Sequence, residues 1–275
     1  MGVMNNAIRN REIYLERMSK PLQAKLRVAR YISESVSHIL DVGCADGAVT
    51  LALAEMFPEK RFLGIDLDEG FIAAAQTNAE ARGIKNAEFK RVYLRELLPS
   101  GEKYDCVLFI SVLHEFFTYG EGISSVLKAL ADAQEILKKG GEIIIRDMIL
   151  FEYTKRTDYL VESMVKKISA DPKLALMIRD TEANFGPLAS VYTVNHFLLK
   201  YMYSENWDRE GKEHYVPVTF EQYENIFSLL GMDLALRDAS LLPYLKEKWL
   251  ADFSFSEEEL APLRSTGFLV ARKMA

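Results

Sequence analysis

The stretch His38–Gly70, HILDVGCADGAVTLALAEMFPEKRFLGIDLDEG, decides how the chain folds. An apolar run, His38–Val42, meets a turn of small residues. A helix-like run, Gly47–Met56, follows, then a second apolar run, Arg61–Ile65, and an acid, Asp66. Gly43 and Gly47 flank the turn with Ala45 between them. Side chains this small let the backbone approach a ligand, and a helix that starts there presents free N–H groups. Asp66 closes the second run about 20 residues on, where a carboxylate can accept both hydrogen bonds of a ribose diol. Strand, glycine turn, helix, strand and acid together describe a nucleoside-binding crevice at the switch point of an open α/β sheet.

The same alternation continues outward. Further strand-like runs are expected at Ala87–Val92, Tyr104–Ile110 and Glu142–Arg146, with helices over Asp68–Arg82 and Gly122–Lys138. Gly83 and the pair Gly140-Gly141 read as helix stops. Upstream, Tyr14, Met18, Leu22, Leu26, Ala29 and Ile32 recur at helical spacing, so a helix or helix pair over Arg11–Ser37 leads in. Apolar strands alternating with helices predict a doubly wound, mostly parallel sheet covered on both faces. After Leu150 the rhythm changes. Residues 151–217 show no strand pattern and read as a mainly helical insertion, with helices at Tyr159–Ile168, Pro172–Arg179 and Asn195–Tyr203. Regular structure returns with a helix at Thr219–Leu230, a stop at Gly231 and strands at Met232–Arg237 and Thr266–Arg272. The expected organisation is therefore a core in 1–150, an insertion in 151–217, and completion of the core sheet in 218–275. An insertion this long reads as a lid over a site or, alternatively, as core thickening or a homodimer interface.

Composition narrows the class. Forty acidic residues against 34 basic ones give a net charge of −6, which argues against a non-specific nucleic-acid coat without excluding a local basic groove. No apolar stretch approaches the length of a membrane helix, and the polar N-terminal stretch lacks a signal-peptide core. Cys44 and Cys106 lie far apart in strand-like surroundings, so a disulfide is not expected. The four histidines are scattered without metal-ligand spacing. A cytoplasmic, metal-independent protein without membrane contact is the expectation.

The spacing D-x-G-x-A-x-G, Asp41 to Gly47, resembles the class I S-adenosylmethionine-dependent methyltransferases over about 37–146, and more loosely over 219–272. The stretches YDCVLFISVLHEF, LKKGGEIIIRD and GFLVARK also look like that family, the last like its final, antiparallel strand in a seven-stranded sheet. The resemblance implies S-adenosylmethionine as cofactor, its methionine part against Asp41, Gly43, Cys44, Ala45 and Gly47, its ribose on Asp66 and its adenine beside Leu67. Where the family commonly has an acid for the adenine amino group, Tyr93 or Leu94 stands here, so backbone groups or Tyr93 take that place. Ser111, after the fourth strand, borders the same cofactor.

Methyl transfer needs an aligned acceptor and, for a protonated oxygen or nitrogen, a base within reach. In this fold the carboxyl ends of strands four and five border the methyl. That nominates His114 and Asp147 for catalysis, His114 because an imidazole ordinarily titrates near neutrality, and Glu115 and Arg146 for the acceptor. The insertion offers His196, Tyr201 and Trp207, with Asn195, Tyr203, Asn206, Arg209 and His214 nearby; LLPYLKEKWLADF adds Tyr244, Lys246, Lys248 and Trp249. Aromatics interleaved with cations suit a planar or anionic small molecule, which is the favoured acceptor. They also suit stacked bases, so an RNA or a protein acceptor is the alternative; a non-catalytic cofactor-binding module is the third reading. The N/D-P-P-aromatic tetrapeptide of amino-methylating DNA enzymes is missing after the fourth strand.

Overall fold

Seven apolar runs form seven strands in the computed structural model, which describes residues 22–156 and 159–274. They are β1 (His38–Val42), β2 (Arg61–Asp66), β3 (Ala87–Arg91), β4 (Tyr104–Ile110), β5 (Leu137–Asp147), β6 (Met232–Ser240) and β7 (Thr266–Lys273). They make one sheet in the order β3-β2-β1-β4-β5-β7-β6. Neighbours from β3 to β5 are parallel, and β7 runs antiparallel between β5 and β6. The expected doubly wound sheet with an antiparallel last strand is what forms.

Side-chain alternation sends every second residue to the same face. Leu40, Val42, Val107, Phe109, Ile143 and Ile145 share a core with the helices Ile123–Ile136 and Phe220–Leu229. Ile39, Phe62, Cys106, Leu108 and Ile144 share the other core with Ala48–Met56 and Glu69–Ala81. Because β1, β2, β4 and β5 are parallel and paired in register, Val42 beside Ile65 and Phe109, and Ile110 beside Arg146, their carboxyl ends open on one edge. That edge carries the site.

A third core lies beyond it. Val161, Met164, Val191, Val194, Phe197 and Leu198 of the insertion pack with Leu245, Trp249, Phe253 and Leu263 from the C-terminal span. Residues 218–274 therefore do two jobs: they complete the sheet and they contribute to the helical layer above it.

Several local expectations need correction. The helix before β5 ends at Ile136, and Gly140-Gly141 lies inside β5, where the register with β4 shifts. The pair re-aims a strand instead of stopping a helix. The expected helix at Asn195–Tyr203 instead spans Val191–Leu198, because Ser190 and Thr193 form a capping box that starts it earlier. Of the leading helix, a short helix Leu22–Leu26 and a 3-10 turn Arg27–Tyr31 are seen; residues 11–21 lie outside the described residues. The helices Leu113–Tyr119 and Pro243–Phe253 were not expected. No helix among the described residues is long and apolar enough to cross a membrane.

Trp249 is fully buried in the shared third core. Trp249→Ala is expected to destabilise the protein by about 3–5 kcal/mol, the cost of emptying an aromatic site. Urea unfolding measures it; a loss below about 1 kcal/mol would show that the insertion does not depend on the C-terminal helix.

Candidate active site

The glycine turn is shaped by its own contacts. Gly43 and Cys44 both donate backbone N–H groups to Ile65 O, at 2.8 and 3.0 Å. The Ala45 N–H donates to Asp66 Oδ2 at 3.0 Å, and the Asp68 N–H to Asp66 Oδ1 at 3.0 Å. Asp66 thus arrives at the edge with both oxygens pinned by backbone. Gly43, Ala45 and Gly47 all have positive φ. A side chain at Gly43 would drive into Val112, and a Cβ at Gly47 would stand 2.8 Å from the Phe89 ring and 2.9 Å from Ala75. The two glycines are therefore required by packing inside the protein as well as by turn geometry. Asp41 is buried behind the turn, accepts a 2.6 Å bond from Thr50 Oγ1, and has its carboxyl pushed up to about 6 by burial. Cys44 is buried beneath the turn, and burial pushes its thiol far up. Leu67 and Tyr93, at the ends of β2 and β3, are 47% and 57% exposed, whereas Leu94 points into the core.

Ser111 leaves β4 at φ 58°, a strained conformation for a residue with a side chain. Its N–H donates to Arg146 O at 2.7 Å, and Arg146 Nη1 donates to its hydroxyl. The helix that starts at Leu113 then sets His114 facing Asp147 at the end of β5. His114 Nδ1 lies 2.8 Å from Asp147 Oδ1 and Nε2 lies 3.1 Å from Glu213 Oε1. All three side chains are nearly inaccessible. Glu213 belongs to the insertion, so the imidazole bridges sheet and insertion. Glu213 Oε2 also accepts from Tyr119 at 3.0 Å and pairs with Arg209 at 3.5 Å, while Arg209 reaches Glu115 at 3.5 Å. The backbone follows: the His214 N–H donates to Thr118 Oγ1 at 2.9 Å, and the Tyr215 N–H to His196 Nε2 at 3.1 Å.

This setting corrects the expectation that His114 titrates near neutrality. Burial alone would lower its pKa. The charges and hydrogen bonds of Asp147 and Glu213 outweigh burial and raise it well above 6.5. In return His114 holds Asp147 and Glu213 below the usual carboxylate range against burial's upward push. Glu115, a third exposed on the cavity side, is pushed up to about 7 by burial and then by Glu213. One His114 nitrogen and the Glu115 and Glu213 carboxylates lie within 4.8 Å of one another, a spacing that suits a cation; Arg209 pairs with both acids there.

Beside this cluster lies a cavity of about 140 Å³. Ser111, His114, Glu115 and Arg146 wall it from the strand ends. The insertion supplies Tyr203, Asn206, Arg209, Glu210, Glu213 and Tyr215, and the C-terminal span supplies Leu242, Tyr244 and Leu245. Five insertion residues named from sequence stand elsewhere, Asn195 and His214 among them. His196 is buried under Tyr215, whose N–H it accepts. Tyr201 bonds Asp252 and packs on Phe197 and Phe253. Trp207 donates to Asp180 at 3.0 Å. Sequence reasoning missed Glu210, Glu213 and Tyr215, which sit in the polar run WDREGKEHY. Its Arg209–Glu213 spacing of i,i+4 was the available signal.

Residues 33–209 match the family model described as a methyltransferase domain. The chain belongs to that family. Its fold is that of the class I S-adenosylmethionine-dependent superfamily. Tabersonine 16-O-methyltransferase of Catharanthus roseus is 26% identical over 166 residues, 59% of this chain and 42% of that one. Among solved structures, an O-methyltransferase family protein from Burkholderia thailandensis superposes with a TM-score of 0.58 at 12% identity, covering 98% of this chain and 61% of that one. The pyocyanin biosynthetic protein PhzM gives 0.59 at 13% identity, covering 98% and 60%. The chain spans less than half the length of the curated relatives it matches.

The protein's stability should carry the mark of His114. Its folded pKa is raised, so its stabilisation is fully present below pH 6.5 and is lost as pH rises through the higher folded value. His114→Asn is expected to cost about 3–5 kcal/mol near pH 6, because it removes the positive charge that two buried carboxylates share. It should also flatten the alkaline fall of the melting temperature. Thermal melts from pH 6 to 10 check both; an unchanged alkaline arm would contradict the assignment.

Proposed function

We propose that the protein transfers a methyl group from S-adenosylmethionine to an oxygen or nitrogen of a small-molecule acceptor. The observation that carries this is the cavity at the carboxyl ends of β4 and β5, on the same edge of the sheet as the Gly43–Gly47 turn and Asp66. A chamber of about 140 Å³ suits a single small ring better than a strand of RNA. O-methyltransferases among the relatives support the same class of reaction.

The residues of the crevice fit the cofactor. Asp66, fixed by two backbone amides, keeps lone pairs for a ribose diol. Leu67 and Tyr93 leave exposed side chains at the ends of β2 and β3, which would pack against the adenine. The positive-φ turn would hold the methionine part. When bound, the cofactor supplies a methyl on a positively charged sulfur, which leaves with the bonding pair as a neutral thioether.

The chain's own residues do the rest. His114 as an imidazolium donates from both nitrogens and has no lone pair for a proton, so its work is to fix Glu213 and the insertion over the site. Glu115 borders the cavity with a carboxyl poised near neutral pH, which makes it the base that takes the acceptor's proton. Asp147 positions His114. Tyr203, Tyr215 and Tyr244 wall the chamber and keep water from the reacting atoms.

Calorimetry on protein stripped of ligand tests the cofactor assignment. Micromolar binding of S-adenosylmethionine is expected, roughly −8 kcal/mol, and Asp66→Ala should weaken it by about 1.5–3 kcal/mol. No heat with the cofactor or its demethylated product would remove the proposal. With an acceptor in hand, kcat/KM should rise with pH through about 7 as Glu115 loses its proton. Glu115→Gln should abolish that limb and lower the rate by about 10²–10⁴. A limb that persists in the variant assigns the base elsewhere.

A further inference from the structure

Arg146 is a buried charge with unfinished bonding. It is 5% exposed and lines the cavity. Nη1 donates to the Ser111 hydroxyl and Nη2 donates to Thr266 Oγ1 at 2.8 Å. Both partners are neutral. Nε–H, buried, has no partner at all. Among the described residues no carboxylate forms an ion pair with this guanidinium. The adjacent acid, Asp147, is committed to His114 on the other face of the strand. Every other cation discussed at this edge has an answer: His114 touches two carboxylates, and Arg209 pairs with Glu115 and Glu213. A guanidinium cannot shed its proton in a protein, so burying it without a counter-charge costs several kcal/mol. A fold tolerates such a group where a ligand completes it. Lys25, also buried, lines the same cavity and lies close enough to Arg146 to feel its charge.

We propose that the acceptor carries a carboxylate and that Arg146 receives it, a reading that deepens the proposed methyl transfer and rests on it. The free Nε–H offers one oriented donor and the guanidinium a full charge, which is what a carboxylate takes up. Tyr203, Tyr244, Leu242 and Leu245 line the chamber and give a single ring an apolar and aromatic wall. Glu115, which lines the same cavity, meets the hydroxyl or amine that accepts the methyl. The acceptor class is therefore a small hydroxy- or amino-substituted ring acid. The other possible source of this anion is the cofactor's own methionyl carboxylate. Position favours the acceptor: Arg146 sits on β5, with β4 between it and the Gly43–Gly47 turn that ends β1, two strand spacings or roughly 10 Å away.

The test uses benzoate and its neutral counterpart benzyl alcohol as probes, titrated by calorimetry or ligand-observed NMR with and without saturating S-adenosylhomocysteine. Benzoate is expected to bind about tenfold more tightly than benzyl alcohol, or better, in both conditions. Arg146→Gln should erase that preference and Arg146→Lys should keep part of it. Equal binding of the two probes, no benzoate binding at millimolar concentration, or an unchanged preference in Arg146→Gln would overturn the inference. Benzoate that binds the bare protein but is expelled by S-adenosylhomocysteine would also overturn it, because the site would then belong to the cofactor. If the Gln variant does not fold, the wild-type comparison and the Lys variant still decide. Failure of S-adenosylhomocysteine itself to bind would remove the methyltransferase reading while leaving the carboxylate result to be read from the bare protein.

Discussion

One imidazolium holds the two halves of this molecule together at the edge where its chemistry would occur. His114 stands between Asp147 at the end of β5 and Glu213 in the insertion. Remove its charge and two carboxylates face each other across a buried site. Repulsion and desolvation would then act together, so one acid must take up a proton or the insertion must move. Tyr119, Arg209 and Thr118 reinforce the attachment, but each of them reaches the insertion from the same short helix or from the insertion itself. The position of Arg209, Glu210 and Tyr215 around the cavity follows from where Glu213 is held.

The sheet supplies the second half of the geometry. Arg146 and Asp147 are consecutive in β5, so strand alternation sends them to opposite faces. Asp147 turns to His114 and the insertion. Arg146 turns to Ser111 and Thr266, on β4's exit and the start of β7. One dipeptide thus fixes an acid-lined wall and a cationic wall of one chamber. The strain at Ser111 fits this account. A left-handed residue after β4 swings the chain so that its N–H meets Arg146 O while His114 reaches Asp147. Ala45 shows the same conformation in the glycine turn. Two of the three non-glycine residues with positive φ among those described border the proposed site.

Much of this was legible in the sequence, for physical reasons that can be named. The strands were readable because parallel strands buried on both faces are continuous apolar runs, and β1 and β4 have the expected ends. The Gly43–Gly47 turn and Asp66 were readable because the turn and the acid have fixed places relative to two strands. The acceptor side was not. His196, Tyr201 and Trp207 looked like ligand contacts because aromatic and imidazole side chains serve cores and sites alike. Only packing separates them: here His196 and Trp207 bond within the insertion, and Tyr201 ties it to the C-terminal helix. Glu213 escaped because a glutamate in a polar run is ordinarily solvated; its partner His114 lies 99 residues upstream, a pairing that no local pattern encodes. The pKa of His114 was misjudged for the same reason.

The central claim is that His114 is a doubly protonated bridge between the sheet and the insertion. Nitrogen-15 NMR of the histidine side chains reads this directly, since the two ring nitrogens report protonation separately. The account predicts that both His114 nitrogens remain protonated through neutral pH and titrate well above 6.5, with downfield protons from the bonds to Asp147 and Glu213. A neutral ring at pH 7, or a midpoint at or below 6.5, would contradict it.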